Sequence, residues 1–127
     1  MKISDTIAIV TGGSSGIGLE TSKQIVAKGG KVLIADLHAS PPRFCFENPD
    51  VVKYIQTNVT KAGDLLAMFE FAKEVFGAEA NVLVNNAGIG DVYPFFAPGG
   101  YKSKWEKVID VDLNAVIRGT GIAVDRW

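Results

Sequence analysis

Cysteine is nearly missing: Cys45 stands alone in 127 residues, so no internal disulfide can form, and a reducing, cytoplasmic setting is the expectation. Its neighbours Phe44 and Phe46 and the lack of a partner histidine mark it as a packed thiol rather than a nucleophile. Histidine is as scarce. His38 falls in a loop with no Cys, His or acid constellation around it, which points away from a metal centre. Neither sign of charge dominates. With 13 basic and 14 acidic residues and a net charge of −1, nothing calls for nucleic acid or an anionic membrane as a partner. Long hydrophobic runs are lacking too; residues 7–10 are too few for a signal peptide or a membrane span. Without such a signal the triplet Asn58-Val59-Thr60 is a coincidental sequon. There is no internal repeat, low-complexity tract or dividing linker, so residues 1–127 are expected to form one domain.

What is present is an ordinary globular composition, 47% apolar and 21% charged. Short β-branched runs at 6–10, 31–35, 51–55 and 81–84 predict strands, and three are almost continuously apolar, as strands covered on both faces should be. Helical periodicity separates them. Over 16–28, Ile17, Thr21 and Ile25 recur every fourth residue; over 60–76, Leu65, Phe69, Ala72 and Phe76 share a face. Ser103-Lys-Trp-Glu106 reads as a capping box opening a last helix from about residue 104. Ser40-Pro41-Pro42 and Asn48-Pro49 reduce the second crossover to a loop or a single turn. The alternation predicts an α/β fold: a Rossmann-like, doubly wound parallel sheet of about four strands.

Thr11-Gly-Gly-Ser-Ser-Gly-Ile-Gly18 falls where the first strand meets the first helix. A tight strand-to-helix turn needs a backbone conformation that a side chain obstructs, which Gly12 supplies. A pyrophosphate must approach the main chain at the positive end of the helix, and Gly16 keeps that path open. Gly18 lets the helix close on the sheet. A phosphate-loop NTPase is excluded, because Gly18 is followed by Leu19 and not Lys.

Asp36 ends the second strand about twenty residues after that turn, where an acid binds the adenosine ribose of a dinucleotide. A carboxylate accepts from ribose hydroxyls and repels an added 2′-phosphate. No Arg or Lys stands at Ser14, Ser15 or Leu37, so NAD is expected over NADP.

These residues resemble the short-chain dehydrogenase/reductase family, including its prostaglandin-dehydrogenase-like members. The glycine turn matches the family's cofactor turn, and Asn85-Asn-Ala-Gly88 matches its second signature. The resemblance covers essentially the whole chain except the short loop at 37–50 and the segment 91–102. It implies hydride transfer between NAD and a secondary alcohol or ketone. It also implies cofactor contacts from Gly12, Ser14, Ser15, Gly16, Ile17 and Gly18, from Asp36 and Leu37, from Asn58 and Val59, and from Asn86, Ala87 and Gly88. Asn86 is expected nearest the cofactor, with Asn85 bracing the sheet. Asn58 stands where the family usually has Asp, and its carbonyl oxygen is expected to accept from the adenine amino group.

Two departures bear on catalysis. Asp112 occupies the position of the family's relay Asn, whose main-chain carbonyl holds a water; Asn114 is expected to face elsewhere on the helix. The family's Ser and Tyr-x3-Lys belong to elements that would follow Trp127. Tyr54, Tyr93 and Tyr101 have Asn58, Ala97 and Trp105 four residues on, so none starts the motif. The segment 91–100, with Phe95 and Phe96, is expected beside the substrate pocket and favours an apolar substrate. An isolated chain with an open fourth strand and a last helix apolar on several faces is expected to be marginally stable and to aggregate or oligomerise. Three functions fit: an oxidoreductase represented by an incomplete chain, a non-catalytic dinucleotide-binding module, or a non-functional truncated gene product.

Overall fold

A computed structural model describes residues 2–91 and 98–127. The expectations for Tyr93, Phe95 and Phe96 concern residues outside these. The elements in chain order are β1 (Ile7–Thr11), α1 (Gly16–Ala27), β2 (Lys31–Asp36), α2 (Arg43–Glu47), β3 (Val52–Gln56), α3 (Ala62–Phe76), β4 (Val82–Val84), α4 (Trp105–Ile109) and α5 (Ala115–Arg126). A π-helical turn, Asp110–Asn114, joins α4 to α5 without breaking the helix.

The strands form one parallel sheet in the order β3-β2-β1-β4. β1 and β2 are apolar at successive positions because both faces of the sheet are covered. Ile9, Leu33 and Ala35 point to one side, where they meet Leu65, Met68, Phe69 and Ala72 of α3 and Ala115 and Ala123 of α5. Ala8, Val10, Val32 and Ile34 point to the other, against Leu19, Ile25 and Val26 of α1 and Cys45 of α2. Alternation of side chains along a strand thus splits a continuous apolar run between two cores. Among the described residues β4 pairs with β1 alone, leaving its other edge open.

The α3 face agrees with its periodicity, with Met68 added. α1 does not. Its buried residues are Gly18 and Ser22, and Ile17 lies 80% exposed. The helix lies so close to the glycine turn that only small residues fit beneath it, and the larger Ile17 turns outward. The Ser22 hydroxyl donates to Gly18 O at 2.9 Å, so this polar contact is satisfied inside the helix.

The capping box does not form. Ser103 donates its hydroxyl to Asp91 Oδ2, and the same oxygen accepts the Lys104 N–H at 2.7 Å. An acid from a preceding segment therefore takes the role that spacing had assigned to Ser103 and Glu106. At the far end, Arg126 reaches Glu70 of α3 (2.7 Å) and Glu79 (3.2 Å), and Lys73 closes on Glu79 at 2.9 Å. The Trp127 indole N–H donates to Ala80 O at 2.6 Å. The last helix is fastened at both ends, yet Trp105, Ile109, Leu113, Ile117 and Val124 remain exposed.

Candidate dinucleotide site

The carboxyl ends of the strands open into a cleft of about 700 Å³, within the usual range for a small-molecule site. Its floor is the glycine turn. The Gly12 N–H donates to Ala35 O at 2.8 Å, continuing the β1–β2 ladder for one more residue. Gly12 and Gly16 have φ values of +64° and +53°, a region that L side chains rarely adopt. A Cβ on Gly12 would lie 2.8 Å from Ala87 Cα, whereas one on Gly16 would meet nothing within 4 Å. Gly12 is thus required by packing, and Gly16 presents bare main chain to the cleft. Ser15 caps α1 in an extended conformation with no side-chain hydrogen bond, which leaves the positive helix end open to an anion.

The two signature turns are joined through Thr11 and Asn86. The Thr11 hydroxyl donates to Val84 O at 3.3 Å and accepts the N–H groups of Asn86 (3.0 Å) and Ala87 (3.1 Å). Asn86 Nδ2 returns to Thr11 O at 3.0 Å and Gly12 O at 3.1 Å. Asn86 lines the cleft, yet its amide nitrogen is spent on bracing the turn. Asn85 Nδ2 donates to Thr120 Oγ1 at 3.2 Å and so ties β4 to α5.

Asp36 is almost buried. Its Oδ2 accepts the Ser14 N–H at 2.9 Å; Oδ1 accepts the His38 N–H at 3.2 Å and lies 2.7 Å from His38 Nδ1. Burial pushes this carboxyl up, but the bonds from Ser14 and His38 outweigh it and hold the pKa below the ordinary value. Three donors leave about one of its roughly four acceptor positions for a ligand hydroxyl. Because the native pKa is depressed, the carboxylate contributes stability that is fully present above the unfolded-state pKa, about 3.9, and is lost as pH falls through the native value. Urea melts of wild type and Asp36→Asn are therefore expected to differ at pH 7 and to converge as pH falls through the depressed native pKa; a gap that persists in stronger acid would show that the charge is not its source.

Of the residues expected to touch a cofactor, the structure brings eleven to the cleft: Gly12, Ser15, Gly16 and Ile17; Asp36 and Leu37; Asn58 and Val59; and Asn86, Ala87 and Gly88. Ser14 and Gly18 are not among its lining residues. Ser14 instead holds Asp36 through its N–H, and Gly18 is wedged under the turn, where a Cβ would lie 2.4 Å from Gly12 O. Asn58 needs correction at the atomic level. Its Oδ1 accepts from Thr60 N (3.1 Å) and Thr60 Oγ1 (2.7 Å), so it is not free for an adenine amino group.

Asp112 is exposed and does not line the cleft; its Oδ1 accepts the Ile89 N–H at 2.9 Å, tying the Asn-Asn-Ala-Gly turn to the last helix. It lies in the π turn, where Ala115 N–H bonds back five residues to Asp110 O; such turns are common at functional positions. Asn114 faces elsewhere, as its spacing indicates, and donates to Asp110 Oδ1 at 2.8 Å. Sequence reasoning missed Thr57, Lys107 and Asp110, which also line the cleft, and it left His38 without its Asp36 partner. No group of metal-ligating side chains occurs among the described residues, and no described helix is long and apolar enough to cross a membrane.

The family model of short chain dehydrogenases matches residues 6–127. The chain belongs to the short chain dehydrogenase family. Similar curated proteins include an NADP-dependent (R)-specific alcohol dehydrogenase of Lentilactobacillus kefiri, 30% identical over 98% of this chain and 50% of that protein. They also include 15-hydroxyprostaglandin dehydrogenase [NAD(+)] of Bos taurus, 30% identical over 98% of this chain and 45% of that one. Among solved structures, a short chain dehydrogenase from Bacillus anthracis superposes with a TM-score of 0.83 at 25% identity, covering all of this chain and 52% of that one. The apo form of LigO from Sphingobium sp. gives 0.82 at 29% identity, over 99% and 48%. The chain spans about half the length of these proteins. The family binds nicotinamide dinucleotides, and these relatives use both NAD and NADP.

Proposed function

We propose that this chain is the dinucleotide-holding part of an oxidoreductase that uses NAD and exchanges hydride with a secondary alcohol or ketone. The observation that carries the reading is Asp36: a charged carboxylate at the end of β2, one strand from the glycine turn, followed in the chain by Leu37 and His38 and with no Arg or Lys at Ser14, Ser15 or Leu37. Bound there, the nicotinamide cofactor supplies or accepts the hydride. The chain's own residues bind and orient it. Bare main chain at Gly16 and the open end of α1 suit the pyrophosphate. The remaining acceptor position on Asp36 suits a ribose hydroxyl, while its charge opposes a 2′-phosphate. Val59, Ala87 and Val111 give apolar walls to the same cleft.

For the 127-residue chain itself the reading is binding without turnover. None of its tyrosines has a lysine four residues on, so it has no paired Tyr and Lys of the family's spacing to exchange a proton with a carbonyl. Asp112 holds Ile89 and is not assigned a catalytic contact. The exposed stripe from Trp105 to Val124 gives such a chain a face for association with a second copy, and the same reading places it in the cytoplasm.

Fluorescence titration tests this directly. Saturable binding of NADH is expected, with NADPH weaker by about tenfold or more and no oxidation of NADH when a ketone is added. A folded chain that gives no NADH signal would defeat the cofactor assignment. Tighter binding of NADPH would reverse the choice between the two, and steady turnover would defeat the claim of binding alone.

A further inference from the structure

The donors that meet Asp36 differ in kind. The Ser14 N–H on Oδ2 (2.9 Å) and the His38 N–H on Oδ1 (3.2 Å) belong to the main chain. The third is the His38 ring, whose Nδ1 lies 2.7 Å from Oδ1. The carboxylate can only accept, so Nδ1 carries the proton. Oδ1 is thereby filled by the ring and the His38 N–H, and the acceptor position that remains is on Oδ2.

The main chain around that ring is held independently of it. Tyr54 of β3 donates its hydroxyl to His38 O, and Gln56 Nε2 donates to Leu37 O at 3.1 Å. The backbone at 37–38 is thus tied to β3, while the His38 side chain is 74% exposed and lines the cleft. Rotating the side chain outward breaks its bond to Oδ1 and sacrifices little burial, and an exposed pair of this kind contributes little to stability. The ring is therefore the donor on Asp36 that a ligand can displace without moving the loop.

A ribose offers two adjacent hydroxyls, which suit the two oxygens of one carboxylate. Oδ2 has room for one of them; the other needs Oδ1, where the ring sits. Resting on the dinucleotide reading above, we propose that the His38 ring is a displaceable stand-in for a ribose hydroxyl, holding Asp36 Oδ1 until a vicinal diol takes both carboxylate oxygens. This makes His38 a specificity-determining residue. A ligand with both hydroxyls gives up the ring's bond to gain two of its own. A ligand with a single hydroxyl at this ribose binds Oδ2 and leaves the ring in place. The ring narrows the advantage of the diol, and removing the ring widens it.

The experiment titrates NADH and its 2′-deoxyadenosine analogue by fluorescence against the wild-type chain and His38→Ala, with circular dichroism confirming that both are folded. His38→Ala is expected to bind NADH about three- to fivefold more tightly, the worth of one solvent-facing hydrogen bond, and to bind the deoxy analogue as the wild type does. NADH binding that is unchanged or weaker in His38→Ala, or equal tightening of both compounds, overturns this inference while leaving the dinucleotide reading intact. Absence of binding of either compound by either protein overturns both. His38 is the only histidine in the chain, so its ring resonances can be followed alone by NMR. NADH is expected to shift them and the deoxy analogue to leave them near their positions in the free chain; the same shift with both compounds overturns the inference. If His38→Ala does not fold, this wild-type readout decides.

Discussion

Gly18→Val is expected to abolish saturable NADH binding and to lower stability by about 1–3 kcal/mol or more. A Cβ at position 18 would lie 2.4 Å from Gly12 O and 2.5 Å from Asn86 Nδ2, distances at which the neighbours must move. Both are poor candidates for movement. Gly12 continues the β1–β2 ladder through its N–H, and Asn86 Nδ2 holds the carbonyls of Thr11 and Gly12. Relief therefore requires α1 to back away from the turn, which carries its N-terminus off the place where phosphate would sit. Gly16→Ala provides the contrast: its Cβ meets no atom within 4 Å, so its cost comes from its φ of +53° and from intrusion toward the ligand. Near-native NADH affinity in a folded Gly18→Val protein would show that the helix end does not place the phosphates.

Phe69→Ala is expected to cost about 3–5 kcal/mol, a large fraction of the roughly 5–15 kcal/mol that holds a domain folded. Phe69 is fully buried in the core between the sheet and α3, beside Leu65, Met68 and Ala72. Its ring also supports the Arg126 guanidinium, 5.6 Å from the ring centroid, and Arg126 holds Glu70 and Glu79. Truncation leaves a cavity and removes the surface on which that ion-pair group rests. The pairs themselves are solvent-facing and contribute little singly, so the expected loss comes mainly from the cavity. Urea unfolding followed by circular dichroism measures it. A loss below 1 kcal/mol would mean that α3 repacks freely and that this core is loosely built.

The features legible in the sequence are those in which chemistry restricts residue type. Glycines at 12, 16 and 18 and the acid at 36 are set by backbone shape and charge, and β1 and β2 are set by burial on two faces, so each leaves a local signature. The misreadings share a different cause. The fully buried residues of α1 are Gly18 and Ser22, small residues with no hydropathy signal, so the periodicity runs through the exposed Ile17 while Leu19, Ile25 and Val26 make the apolar contacts. Ser103 carries the letters of a capping box, but Asp91 supplies the bond from twelve residues away. His38 looks solitary until the turn after β2 folds its ring back onto Asp36. The direction of the Asn58 amide depends on Thr60, only two residues on, and was open to inspection: an Asn followed at i+2 by a residue with both an N–H and a hydroxyl can saturate its own oxygen locally.

The π turn at Asp110–Asn114 gives the last helix two angular frames in place of one. Lys107 before it and Asp110 and Val111 at its start line the cleft; after it, Ala115, Gly119 and Ala123 are buried. An unbroken α-helix advances about 100° per residue, so one residue more or less in this stretch rotates everything downstream by that amount. The extra residue in the turn acts as a phase slip that lets one rod address the ligand with its first half and the core with its second. Deleting a single residue between 110 and 114 would force a choice of frame: either the cleft keeps its wall and the Ala-Gly-Ala stripe rolls into solvent, or the stripe stays seated and the wall turns away.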